Sequence, residues 1–111
     1  MESSIIDSSD LTSNERRVLI VDGEMSGTGV RDCASGRYID LMELNIPNVL
    51  VKRIKSWINA YWEEQYINFP DIAKINWLDQ DGIDISRMLR NVLQDVDVKY
   101  FSSAETKYIE F

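Results

Sequence analysis

The chain reads as an α+β domain: a small, mainly antiparallel sheet with two helices packed on one face, in the order β-β-α-α-β. Three observations predict it. The aliphatic, β-branched run Val18-Leu19-Ile20-Val21 has the length and continuity of a buried strand. Between residues 48 and 65 the apolar side chains Leu50, Ile54, Trp57 and Tyr61 recur at helical spacing. Val96-Asp97-Val98-Lys99-Tyr100 alternates with the period of a half-buried strand. With 111 residues there is room for one domain, and a hydrophobic content of 44% suffices for a packed core.

Each element has its own justification. Residues 1–15 carry Glu2, Asp7, Asp10 and Glu15, no base and a weak apolar pattern; they read as a flexible acidic arm ahead of a single domain over 16–111. The first strand covers 17–22. The stretch 23–30 holds Gly23, Gly27 and Gly29, too many for a helix, and reads as a bulged continuation of that strand. Ala34-Ser35-Gly36 then makes a turn and residues 37–42 a returning strand. Asn45-Ile46-Pro47 opens the first helix, because proline has no N–H to leave unpaired in a first turn. Lys52, Ser56, Asn59 and Glu63 form its wet face. Residues 66–81 read as a connection containing Ile72, Ile75, Trp77 and Leu78. The second helix is expected from about Gly82 to Gln94, burying Ile85, Met88, Leu89 and Val92. Residues 96–101 close the sheet, and 106–111 either add an edge strand or stay loose.

Composition removes several kinds of chemistry. There is no histidine, so His-based triads, the usual general base near neutral pH and the commonest metal ligand are all missing. A single cysteine, Cys33, forms no internal disulfide, and neighbouring Asp32 disfavours its thiolate. Nineteen acidic against twelve basic residues, a net charge of −7, oppose binding to a phosphate backbone. Gly27 is followed by Thr28 and Gly29 rather than Lys and Ser/Thr, and Asp32 stands where a dinucleotide fingerprint needs glycine, so neither phosphate-binding loop is present. Asp79-Gln80-Asp81-Gly82 resembles the start of a calcium loop, but Ile83 and Arg90 occupy the fifth and twelfth positions. The plainer reading of Asp79, Asp81 and Asp84 is charge and capping at a helix N-terminus. No metal and no cofactor is expected. The acidic, serine-rich start does not look like a signal peptide, and no apolar run is long enough to span a bilayer; a cytoplasmic protein, more readily monomeric than oligomeric, is expected.

What remains is a binding surface. Trp62 lies off the apolar stripe of the first helix and is followed by Glu63, Glu64 and Tyr66, which interleaves aromatic rings with acids. Nucleic-acid sites interleave rings with bases, so this pattern suits a basic protein partner; the plainer role for Trp62 is to cover the sheet edge. Residues 63–84 concentrate six carboxylates against Lys74 alone, a field that steers a basic partner or merely aids solubility. The candidate contact residues are Trp62, Glu63, Glu64, Tyr66, Asp79, Asp81 and Asp84, with Glu24 and Asp32 as a secondary patch.

A resemblance adds to this. The order Val21-Asp22-Gly23-Glu24-Met25-Ser26-Gly27-Thr28-Gly29-Val30, Ile39-Asp40, Leu44-Asn45-Ile46-Pro47, a helix with Ile54, Trp57 and Tyr61, then Leu78-Asp79-Gln80-Asp81-Gly82 and 96–100 is similar to small bacterial immunity proteins of polymorphic toxin and contact-dependent growth inhibition systems. The resemblance implies a non-enzymatic toxin inhibitor that binds the C-terminal domain of a cognate toxin, commonly a nuclease, and masks its basic cleft. It carries over no individual residue. The competing expectations are an adaptor subunit whose ends, 1–15 and 104–111, order on assembly, and a small enzyme working with carboxylates alone.

Overall fold

The computed structural model describes residues 16–69 and 71–111; the expected acidic arm, 1–15, lies outside the described residues. The chain forms β1 (Arg17–Asp22), β2 (Val30–Asp32), a 3-10 turn (Leu41–Leu44), α1 (Asn48–Tyr66), α2 (Ile72–Val92), β3 (Val96–Ser102) and β4 (Lys107–Ile109). The sheet runs β2-β1-β3-β4. Its two outer pairings are antiparallel and its central pairing, β1 with β3, is parallel. The fold is α+β, with the helices on the sheet face that carries Leu19, Val21, Val98 and Tyr100. Those residues meet Leu50, Ile54, Trp57 and Tyr61 of α1 and Leu78, Ile85 and Leu89 of α2. The parallel pairing requires a crossover, and the αα-hairpin of α1 and α2 supplies it.

The glycine-rich stretch does not prolong β1. It reverses the chain, so that Val21 pairs with Val30 and Leu19 with Asp32. The reversal closes on an Asp22 N–H to Gly29 carbonyl bond of 3.1 Å, with Gly29 at φ +102°, a backbone region that side chains disfavour. The returning strand expected over 37–42 is replaced by a single bridge, Arg31 to Tyr38, and the 3-10 turn. Two local bonds explain this. The Thr28 hydroxyl donates to the Ile39 carbonyl at 2.6 Å, and Asp40 caps the turn by accepting from the Met42 N–H at 3.0 Å.

The second helix starts ten residues earlier than the sequence pattern predicts. Asp71, not the 79–84 cluster, is its N-cap, accepting from the Lys74 N–H at 3.1 Å. Gly82 is therefore an interior residue. A Cβ there would lie 2.7 Å from Cζ of Tyr100 and 2.8 Å from Cζ2 of Trp57, so the glycine lets two rings pack onto the helix backbone. The buried stripe is Ile75, Leu78, Gly82, Ile85 and Leu89; Met88 and Val92, expected in it, are exposed. Trp57 locks the hairpin by donating its indole N–H to the Leu78 carbonyl at 2.8 Å.

Candidate functional site

The carboxylates of 63–84 do not form one acidic surface. Asp79 faces inward at 5% exposure, where its Oδ1 accepts from Tyr61 (2.8 Å) and Tyr100 (2.6 Å) and its Oδ2 from Ser102 (2.8 Å). Glu64 is 4% exposed and pairs with Lys74 at 3.3 Å. Asp81 pairs with Arg53 across the hairpin, and Asp84 with Arg87 one turn on. Glu64 and Asp79 are thus withdrawn from any partner by burial, and Asp81 and Asp84 have much of their charge compensated locally. The capping role expected for Asp79, Asp81 and Asp84 fails for the same reason that the helix begins at Ile72: all three sit inside it.

The other candidates converge. α1 carries Trp62 to the loop after β1, where its indole N–H donates to the Glu24 carbonyl at 2.9 Å. The Gln65 side-chain amide donates to the Gly23 carbonyl one residue earlier. These two bonds clamp the loop to the helix, and Asp22 anchors it from within. The Asp22 carboxylate accepts from Arg31 at 2.6 Å, from the Tyr38 hydroxyl at 2.6 Å and from the Glu24 N–H at 3.2 Å. Burial, followed by the hydrogen bond to Asp22, pushes the Tyr38 phenol well above its ordinary range, so it stays a donor.

Between the clamped loop and the helix lies an open groove of about 500 Å³, lined by Met25, Asn59, Trp62, Glu63 and Tyr66. Trp62 and Asn59 also wall a second depression of about 270 Å³, which reaches Asp40 and Lys55. Tyr66 is 85% exposed. Glu24 and Glu63 are exposed and have no ion-pair partner among the described residues. Two chain segments that the sequence presents as separate patches therefore adjoin, Met25 of the loop lining the groove with Trp62, Glu63 and Tyr66 of the helix. Asp32 does not join it. It sits across from Leu19, where it accepts from the Ser35 N–H at 2.9 Å and pairs with Arg17 at 3.2 Å. The Ser35 bond first, and Arg17 second, hold its carboxyl below the usual range.

Met25 and Asn59 belong to the groove and escaped the sequence reading. Asn59 is legible in retrospect, one turn before Glu63 on the wet face; Met25 sits in a glycine-rich loop that no periodicity orients. Trp77, expected among the apolar residues of a connection, stands on α2 at 62% exposure. Among the described residues no group of three or more acids or cysteines is arranged to hold a metal ion, and no helix is long and apolar enough to cross a membrane. No protein-family model, curated protein or solved structure matches the chain.

Proposed function

We propose that the protein is a binding module that recognises a basic protein through the groove of Met25, Asn59, Trp62, Glu63 and Tyr66 and the adjoining exposed Glu24, and that it serves as an immunity protein neutralising a cognate toxin domain. The observation that supports this reading is the meeting of uncompensated Glu63 with the rings of Trp62 and Tyr66 in one open depression, beside the loop whose exposed Glu24 is held to Trp62 through its backbone carbonyl. Exposed rings supply the contact area that dominates affinity, while flanking acids steer a cationic partner and fix its orientation. A nuclease toxin offers such a partner, since its substrate cleft must be basic. The similarity to immunity proteins of polymorphic toxin systems gives the binding its biological sense, and inhibition would follow from covering the cleft.

The full chain, tagged and used as bait in a lysate of the organism that encodes it, is expected to capture a basic domain at low salt and release it as salt rises. The purified partner should lose its toxic activity at one equivalent of this protein. Tyr66→Ala should weaken capture about tenfold, as should the double reversal Glu24→Lys with Glu63→Lys, without lowering the melting temperature. Undiminished binding by both variants would place the interface elsewhere. A captured partner whose activity is untouched would leave an adaptor and remove the immunity role.

A further inference from the structure

Beside the acidic groove, and sharing only Asn59 and Trp62 with it, lies the smaller depression of about 270 Å³. One wall is α1, where Lys55, Ile58, Asn59 and Trp62, at i, i+3, i+4 and i+7, share a face. The opposite wall is Gly27 and Thr28 of the loop with Asp40 and Leu41 at the 3-10 turn. The Thr28 hydroxyl, bonded to the Ile39 carbonyl at 2.6 Å, joins these two pieces. Leu41 and Ile58, at 4% and 5% exposure, give the depression an apolar floor. Trp62 adds a ring whose position is fixed by the indole bond to the Glu24 carbonyl. The charges stand in opposition. Lys55 is on the helix wall and Asp40 on the loop wall, both exposed, and neither forms an ion pair with the other or with any described residue. Asp40 spends its Oδ1 on the Met42 N–H, which leaves Oδ2 for another donor. Asn59, one turn beyond Lys55, puts an exposed amide beside the lysine. A cation and an anion held apart over an apolar floor match a zwitterion, since a dianion would meet Asp40 and a dication Lys55. A volume just below the roughly 300 to 1,000 Å³ of drug-sized sites restricts the ligand to a small one.

We infer that this depression binds a free aliphatic α-amino acid. Its ammonium sits on Asp40, its carboxylate on Lys55 and Asn59, and its side chain over Leu41 and Ile58 against Trp62. The inference does not rest on the partner-binding reading, which turns on Glu24, Glu63 and Tyr66. The test is a titration of the full chain with L-leucine followed by amide NMR shifts. N-acetyl-L-leucine, which lacks the ammonium, and L-leucinamide, which lacks the carboxylate, are separate arms. Saturable shifts centred on residues 27–28, 40–41, 55, 58–59 and 62 are expected for L-leucine, with each blocked form at least about tenfold weaker. Asp40→Asn should weaken L-leucine about tenfold yet leave N-acetyl-L-leucine unchanged. Lys55→Gln should weaken L-leucine about as much yet leave L-leucinamide unchanged. Asparagine retains the oxygen that caps the 3-10 turn and glutamine suits an exposed helical position, so both variants should keep the parent's amide spectrum elsewhere. Lys99→Gln, on the sheet face turned away from the helices, should change nothing. Absence of saturation, shifts centred elsewhere, a blocked form binding as tightly as L-leucine, or indifference to Asp40→Asn and Lys55→Gln would each overturn the proposal. The variants at Tyr66, Glu24 and Glu63 that probe the protein partner should leave L-leucine binding unchanged, so the two readings fail separately.

Discussion

Asp79 shows how far a residue's role depends on its direction. Its two oxygens take three hydroxyl donors at 2.6 to 2.8 Å, which join α1, α2 and β3 at one point. The Tyr61 oxygen also accepts from the Ala104 N–H at 3.1 Å, tying the β3–β4 turn to the same node. Removing the carboxylate leaves buried hydroxyls without their acceptor, so Asp79→Ala should cost about 2 to 4 kcal/mol in urea denaturation. Tyr100→Phe, which deletes one donor and leaves the acceptor served by two others, should cost only about 1 kcal/mol. Equal losses for the two variants would contradict the network. The inward turn of Glu64 was legible: Leu50, Ile54, Trp57, Tyr61 and Glu64 continue one stripe at spacings of three and four. Adjacent Glu63 falls about 100° away and is exposed, as the wet face predicts. Identity as an acid suggested surface for both, and periodicity separates them.

At the scale of elements, the first helix and the strands at 17–22 and 96–102 follow from local patterns, because one face of each must be apolar to pack. The second helix was half hidden. Its stripe of 75, 78, 82, 85 and 89 is regular, but glycine at one of those positions looks like a helix boundary until the rings that fill its missing side chain are in view. Gly82→Ala tests this directly. Intrinsic propensity favours alanine by about 1 kcal/mol in a helix, whereas displacing Tyr100 and Trp57 should cost about 1 to 3 kcal/mol. The variant should therefore lose stability in thermal unfolding; a raised midpoint would mean that the rings move aside freely. β2 was missed because three residues carry no measurable period, and its pairing depends on a loop closed by side chains and a positive φ.

For the whole molecule, three phenols, buried Tyr61 and Tyr100 and half-buried Tyr38, should weaken stability against alkali. Tyr38, Tyr61 and Tyr100 all lie above their ordinary value of 10.0, with burial as the leading cause; Tyr61 is pushed up to about 12 and the other two higher. The native state holds these protons more tightly than the unfolded chain, so unfolding above pH 10 releases them and rising pH favours the unfolded state. The contribution is complete below pH 10 and drains away as pH climbs through 12. Tyrosinate absorbance from these residues should thus appear together with loss of helical circular dichroism; titration ahead of unfolding would contradict their burial. Asp32 acts in the opposite sense at the acid end. Its lowered value gives a contribution that is present above the usual carboxylate range and fades as pH falls through the folded value. With no histidine, none of the unperturbed side chains changes charge between about pH 5 and 8, and stability should be flat there.

The sequence by itself determined the fold class, the first helix, the two central strands, the net acidity and the lack of histidine chemistry. Each of these is a property of composition or of neighbours within one helical turn or one strand pleat. Tertiary structure decided which carboxylates face inward, which strand pairs with which, and that Glu24 meets Trp62 across 38 residues of chain. Such encounters depend on how apolar faces stack and where a loop reverses. Asp79 and Glu63 are alike in charge and opposite in fate because packing, which acts between distant segments, assigned one to the core and left the other in the groove.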